Sequence, residues 1–106
     1  MAETGLITLD VEKTKLECLN NIIKPLLQEK ATIRVYVAEH AQIQVFIYDT
    51  NGNQKKEILS EEKDPGVYIN TWDGTDESGA VVGSGTYMVH MRTKGFSDTK
   101  KIVVIK

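Results

Sequence analysis

Residues Gly66 to Tyr87 have the sequence GVYINTWDGTDESGAVVGSGTY. In the first seven of these residues two sets of side chains alternate, which is the period-2 pattern of a strand with two different faces. The Asp-Gly pair that follows favours a reversal, because glycine accepts positive φ and aspartate bonds its own backbone. A second such cluster ends at Gly79, and a new extended run begins near Thr86. Trp72, the only tryptophan, stands at the lip of this reversal, where we predict that its ring fills the core.

The composition indicates one domain of ordinary globular type. The chain has 106 residues, of which 41% are hydrophobic and 26% charged, enough for a single core of modest size. The net charge of −2 shows no excess of basic residues of the kind that binds phosphate backbones, so no nucleic-acid partner is predicted. No apolar run approaches the roughly 20 residues that cross a bilayer, and no signal-peptide pattern opens the chain, so membrane insertion is not predicted. Cys18 is alone, which excludes an intrachain disulfide and a zinc cage of thiolates.

The chain divides by pattern into two parts: residues 1–30 form a leader with a first edge strand, and residues 31–106 form the sandwich core. The weak alternation of Leu6 to Val11 predicts that first strand. The spacing around Pro25 is helical, but proline removes a backbone donor and restricts the residue before it. We therefore expect irregular, extended chain here, with Ile22 and Leu26 under the sandwich, and a one-turn helix as the alternative.

From residue 31 onward the sequence predicts strands with short turns between them. The alternating runs cover residues 31–37, 42–49, 54–59, 86–93 and 100–106, with a charged loop at 60–65 and a turn at 94–98. Asn51-Gly52 predicts a hairpin with a type I′ turn. About seven or eight short strands and no convincing helix predict an all-β sandwich of two antiparallel sheets, of the immunoglobulin or fibronectin-III type. Its core is predicted to contain the stripe of Ile43, Val45 and Ile47.

Three segments resemble a known family. They are VFIYDTNGN (residues 45–53), PGVYINTWDGTDESGAVVGSGTY (65–87) and TKKIVVIK (99–106), and the second contains the pattern W-D-G-x-D-x-x-G-x-x-V-x-x-G-x-Y. Together they resemble the immunoglobulin-like domain of the flagellar hook-capping protein family, over roughly residues 31–106. Similar modules recur near the C-termini of secreted or surface bacterial proteins. The motif residues assigned to the structural core are Trp72, Asp73, Gly74, Asp76, Gly79, Gly85 and Tyr87.

The resemblance implies a β-sandwich without catalytic residues that serves as a spacer, docking surface or assembly part. It also implies protein partners or neighbouring domains of a larger chain, and an extracellular or cell-surface location in a bacterium. The entry segment before residue 31 departs from the family pattern, which leaves the boundary of the first strand open.

The loop after Trp72 contains carboxylates that could bind calcium. Asp73, Asp76 and Glu77 lie close together, but an EF-hand closes on a bidentate Glu at its twelfth position, which here is Ser84. Turn chemistry accounts for these carboxylates better, since aspartate bonds nearby backbone N–H groups. His40 and His90 have no ligands at metal spacing, and no nucleophile-elbow motif encloses a serine. We therefore predict no metal, no cofactor and no enzymatic activity.

Tyr36, Phe46 and Tyr48 lie opposite the aliphatic stripes of their predicted strands. One interpretation is an exposed aromatic patch that binds a partner or a sugar ring. The interpretation that we favour places these rings in the core, with the aliphatic side chains under a loop or second domain. The predicted function is a non-catalytic structural or protein-interaction module, and the alternative is a carbohydrate-binding module that uses the exposed aromatics.

Overall fold

The computed structural model describes residues 11–106, which form two β-sheets packed face to face. The eight strands and one 3-10 helix, in chain order, are β1 (Lys15–Leu19), β2 (Ile22–Ile23), the helix Pro25–Leu27, β3 (Ala31–Val37), β4 (Ala41–Asp49), β5 (Gln54–Lys63), β6 (Gly66–Trp72), β7 (Gly85–Thr93) and β8 (Phe96–Val104). The predicted all-β sandwich is confirmed.

One sheet has three strands in the order β1-β3-β6, and the other has five in the order β2-β8-β7-β4-β5. Neighbouring strands are antiparallel, except that β2 runs parallel to β8. Strands β4 and β5 pair with two register irregularities, between Val45 and Phe46 and between Ile47 and Tyr48. Such bulges increase the local twist of a sheet.

The first strands of the described chain connect the two sheets at one side of the sandwich. After β1 the backbone turns at Asn20, which has a φ of 55°, and β2 then joins the five-stranded sheet. The strand predicted at Leu6 to Val11 lies, except for Val11, outside the described residues. The division of the chain at residue 30 stays a prediction.

The expected burial of Ile22 and Leu26 is wrong, since their side chains are 59% and 62% exposed. Alternation along β2 places Ile23 in the core, fully buried, and Ile22 outward. Pro25 is buried and begins the 3-10 helix, so the one-turn helix kept as the alternative is what forms. Proline is tolerated there because the first turn of a helix leaves its N–H groups unpaired in any case.

The core lies between the sheets and is built from aliphatic rows. Ile43, Val45 and Ile47 of β4 are fully buried, as predicted. Alternate residues of β3, Ile33 and Val35 among them, face them from the other sheet. No polar or charged residue of residues 11–106 is among the buried ones. Removing this apolar surface from water is the main favourable term in folding.

Two predicted boundaries are wrong. Strand β5 continues to Lys63 through the expected charged loop, because Glu61 to Lys63 pair with the first residues of β4. Strand β8 begins at Phe96, because Lys94 and Gly95 alone make the turn and Thr93 pairs with Phe96.

The β4–β5 turn also differs from the type I′ prediction. Gly52 has a φ of 85°, but Asn51 does not have a positive φ. The Asp49 carboxylate accepts hydrogen bonds from the backbone N–H groups of Asn51 and Asn53, both at 2.9 Å. These bonds favour a longer loop in which only the glycine is left-handed.

Candidate functional site

The family motif forms a loop between β6 and β7, named here the tryptophan loop (residues 72–85). Trp72 is 1% exposed and packs edge-on against Tyr87, with ring centroids 5.6 Å apart and an interplanar angle of 63°. The indole Nε1 donates to the Thr75 carbonyl at 2.8 Å, and the Tyr87 hydroxyl donates to the Gly83 carbonyl at 2.7 Å. Each ring therefore lies in the core while its polar atom holds the loop.

The two aspartates of the loop accept hydrogen bonds from the loop itself. Asp73 Oδ1 accepts from the backbone N–H and the hydroxyl of Thr75, at 3.1 and 2.6 Å. Asp76 Oδ1 accepts from the N–H and hydroxyl of Ser78, at 2.9 and 2.6 Å, and from the N–H of Ala80 at 3.1 Å. The Thr75 hydroxyl lowers the pKa of Asp73, and the Ser78 hydroxyl lowers that of Asp76, because each bond favours the charged form.

Gly74 is the point where the loop meets the N-terminal segment. Its φ is 82°, and a Cβ placed there would lie 2.5 Å from Cγ of Pro25, so only glycine lets the loop backbone approach the proline ring this closely. Gly79 has a similar φ of 88° but open space around it. The remaining motif glycine, Gly85, begins β7.

The loop also covers part of the outer edge of β5, which the sequence did not indicate. The Glu77 N–H donates to the Lys55 carbonyl at 3.0 Å, and the Glu57 N–H donates to the Glu77 carboxylate at 2.7 Å. Lys56 Nζ contacts the Asp76 carbonyl at 3.3 Å. These partners lie about twenty residues apart in the chain, so no local pattern predicts them.

The structure does not bring the three candidate patch residues together. Tyr36 lies on the outer face of the three-stranded sheet, where its hydroxyl donates to Glu17 at 3.0 Å. Phe46 and Tyr48 lie on the outer face of the five-stranded sheet, with ring centroids 6.2 Å apart. Phe46 is only 7% exposed, and the guanidinium of Arg92 lies 5.9 Å from its ring centre. The favoured interpretation, with the rings inward and the aliphatic stripes outward, is wrong: strand alternation points the aliphatic residues inward.

A second polar cluster, named here the His40 cluster, consists of His40, Glu62 and Asp64. The imidazole Nδ1 lies 2.8 Å from Asp64 Oδ1, and Nε2 lies 2.7 Å from Glu62 Oε1. A neutral imidazole has one donor, so bonding both carboxylates requires the imidazolium. These bonds, that to Asp64 first, raise the pKa of His40. Sequence reasoning missed the cluster because its members lie 22 and 24 residues apart.

The remaining candidates are the Cys18 thiol, a metal site and a membrane-spanning helix. Burial raises the pKa of the Cys18 thiol to about 11, so it is protonated at neutral pH and a poor nucleophile. Among residues 11–106, no group of three or more His, Cys, Asp or Glu side chains is arranged to hold a metal ion. Nor does that part of the chain contain a helix of the length and hydropathy needed to cross a membrane.

Comparison with known proteins gives the family. The model of the FlgD Ig-like domain family matches residues 20–95, most of the chain. The chain belongs to the FlgD Ig-like domain family. This agrees with the pattern of the tryptophan loop, all of which lies in the matched region. The chain matches no curated protein sequence.

Solved structures share the fold of this FlgD Ig-like domain. Dimeric latent PorU from Porphyromonas gingivalis has a TM-score of 0.67 at 21% identity, over 87% of this chain and 9% of that one. FlgD from P. aeruginosa has a TM-score of 0.60 at 18% identity, over 89% of this chain and 76% of that one. PorZ, an essential surface component of the type-IX secretion system of Porphyromonas gingivalis, has a TM-score of 0.56 at 22% identity, over 86% and 11%. The chain thus spans about a tenth of the PorU and PorZ chains.

Proposed function

We propose that this domain is a non-catalytic structural and protein-interaction module of a larger bacterial protein that is secreted, displayed on the cell surface or used in flagellar assembly. The observation that carries the proposal is that the polar groups of the family motif form their hydrogen bonds within the tryptophan loop. The family motif directs its rings into the core and its carboxylates to its own N–H and O–H groups. The most distinctive residues of the chain therefore serve the fold.

The titratable groups support a passive role. A general base works best with a pKa near the operating pH, whereas hydrogen bonding lowers the pKa values of Asp73 and Asp76 below their ordinary value. The Cys18 thiol is shifted in the opposite direction, to about 11, and is half-buried. Neither the two aspartates nor Cys18 is shifted toward the range in which acid–base or nucleophilic catalysis is efficient. The pKa of His40 is raised by its bonds to Asp64 and Glu62, but both of its ring nitrogens are bonded to these carboxylates in an exposed cluster.

The similar solved structures support a role as one domain of a larger protein. In PorU and PorZ the matching region is a small part of a long chain, which is how a spacer or docking domain is arranged. PorZ is a surface component of a secretion system, and FlgD gives the family its name. We extend to this chain a surface or secreted location, with protein partners or adjacent domains as its contacts.

The experiment is a comparison of two variants of the parent protein in its own bacterium. One lacks residues 11–106, and the other carries Leu27→Ala, a change at an exposed residue of the 3-10 helix that should leave the domain folded. We expect the deletion to impair assembly, secretion or partner capture of the parent, while Leu27→Ala leaves them unchanged. If the deletion changed none of the three, the proposed function would be wrong.

The carbohydrate-binding alternative stays a prediction. It requires Tyr36, Phe46 and Tyr48 to form one patch. Tyr36 lies on the outer face of the three-stranded sheet, whereas Phe46 and Tyr48 lie on the outer face of the five-stranded sheet. A glycan array with the 106-residue chain and the Tyr36→Ala/Tyr48→Ala variant tests it. Binding that the double substitution abolishes would support a sugar site, and the absence of binding would remove it.

A further inference from the structure

The four edges of the two sheets differ in how they are protected. An edge strand exposes unpaired N–H and C=O groups, and proteins usually blunt it with charges, proline, short length or a covering segment. The β5 edge is covered by Glu77 near Lys55 and is charged from Glu61 to Lys63. Strand β2 has two residues, with Pro25 close behind.

Strand β1, the third edge, is also protected. It carries Lys15 and Glu17, and the Leu16 N–H donates to Asp98 Oδ2 at 3.0 Å, which ties this edge to β8. Three of the four edges therefore show at least one recognised protective device.

Strand β6 is the exception within residues 11–106. Its sequence, GVYINTW, has no charged residue and no proline, and Pro65 lies just before it, outside residues 67–71. On its outer face Val67 is 38% exposed and Ile69 is 62% exposed. Arg34 of β3 is paired with Ile69 on this outer face, but it lies one strand inward from the edge, where it is 3.3 Å from Glu17. Lys63 lies on the opposite face, where its Nζ is 4.7 Å from the centre of the Tyr68 ring and 2.9 Å from Glu61. The outer row of the edge strand itself, Val67, Ile69 and Thr71, is thus β-branched and uncharged.

We propose that β6 is a self-association edge, at which two copies of this chain pair their β6 strands antiparallel across a twofold axis centred on Ile69. This pairing places Ile69 opposite Ile69, Val67 opposite Thr71 and Tyr68 opposite Asn70. Because the register is centred on a residue, Val67, Ile69 and Thr71 of both copies stay on the outer face. The two three-stranded sheets become one continuous sheet.

A second copy fits this edge because the strand is its own complement. No charge opposes a like charge in the paired register, and β-branched residues directly opposite each other are favourable cross-strand pairs. The free backbone groups of one copy supply the partners that those of the other lack. A single strand-to-strand contact buries less than the roughly 1,200 Å² of a stable interface, so we expect association that depends on concentration.

The test is sedimentation equilibrium of the 106-residue chain between about 10 µM and about 1 mM, the range in which weak pairing is measurable. Ile69→Lys adds an edge charge of the kind that β1 and β5 have. Leu26→Lys is the matched control, because Leu26 is also 62% exposed but lies in the 3-10 helix. Thermal melts of both variants check that they remain folded.

We expect the apparent mass of the parent to rise with concentration from that of one chain toward that of two. Ile69→Lys should raise the dimer Kd at least about tenfold, whereas Leu26→Lys should leave it within about twofold. A parent that stays at the mass of one chain throughout would overturn the pairing. So would a Leu26→Lys variant weakened as much as Ile69→Lys.

Cross-linking tests the register. Directly opposed residues of an antiparallel pair have Cα atoms about 4.5–5.5 Å apart, within the range of a disulfide. In a Cys18→Ser background, Ile69→Cys should therefore form a disulfide-linked dimer at least about tenfold faster than Leu26→Cys under mild oxidation. Equal rates would overturn the register. A structural module need not self-associate, so a monomeric chain would leave the proposed function untouched.

Discussion

The tryptophan loop and the His40 cluster both join carboxylates to hydrogen-bond donors, but only the loop is anchored in the core. In the loop, Asp73 and Asp76 bond their own turns, and Trp72 at its start is 1% exposed. In the cluster, all three side chains are more than half exposed, with 57% for His40. The bonds of both regions are open to water, so we expect any difference in their contribution to stability to come from the buried ring of Trp72, which holds the loop in place and lowers the entropy cost of forming its bonds.

Replacing the anchor should have the largest effect. Trp72→Ala removes a buried ring that packs against Tyr87 and also removes the donor to the Thr75 carbonyl, so we expect a loss of about 3–5 kcal/mol in the free energy of unfolding. Denaturant unfolding at neutral pH measures it. Trp72→Phe is the control, since it keeps a ring without the donor and should lose less. A loss below about 1 kcal/mol for the alanine variant would show that the loop does not depend on its ring.

The burial of Trp72 and of the aliphatic stripe was predictable because both follow from local alternation of side chains. The direction of the alternation on β6 follows from the same prediction. With Trp72 in the core, Tyr68 lies on the same face and packs against the core, while Val67 and Ile69 face outward.

The contacts between distant segments could not be predicted. The Gly74–Pro25 approach, the cover of β5 by Glu77 and the His40 cluster each join residues far apart in the chain. Periodicity specifies which face of a strand is apolar, but it does not specify which loop lies over which edge. The family motif indicated that the loop glycines matter without showing what each of them contacts.

Gly74 gives the second comparison, because Gly79 shares its backbone conformation but not its surroundings. Both alanine variants have the strain of a positive φ, and only Gly74→Ala places a Cβ against Pro25. We expect Gly74→Ala to lose about 1–3 kcal/mol more than Gly79→Ala in denaturant unfolding, the usual cost of overpacking. Equal losses would mean that the 3-10 helix moves aside freely and that the loop is less tightly held than the structure indicates.

The loop aspartates should make the stability of the domain fall as the pH is lowered into the acidic range. The pKa of Asp76 is lowered in the folded state, chiefly by the Ser78 hydroxyl, so its contribution is present above the ordinary value of 3.8 and is lost as pH falls through the folded value. We expect Asp76→Asn to melt below the parent at pH 7, by less than Gly74→Ala, and to approach it at the lowest pH.

Ser78→Ala keeps the Asp76 carboxylate but removes its first donor, and it should reproduce part of that difference. Melting temperatures from pH 7 down to about pH 2.5 measure both variants against the parent, across the range in which an aspartate titrates. If the difference in melting temperature between Asp76→Asn and the parent stayed constant with pH, the charge of the carboxylate would not contribute to stability.

The His40 cluster should have the smallest effect and the opposite dependence on pH. The pKa of His40 is raised in the folded state by its bonds to Asp64 and Glu62, so its stabilisation is fully present below the ordinary value of 6.5 and is lost as pH rises through the folded value. We expect His40→Gln to melt slightly below the parent at pH 5.5 and to match it near pH 9, well above the ordinary histidine range. His90→Gln is the matched control for the loss of a surface imidazole, since His90 is bonded to the Thr99 hydroxyl at 2.8 Å rather than to a carboxylate. If His40→Gln lost as much stability as Asp76→Asn, the anchoring of the loop by Trp72 would not be what distinguishes the two regions.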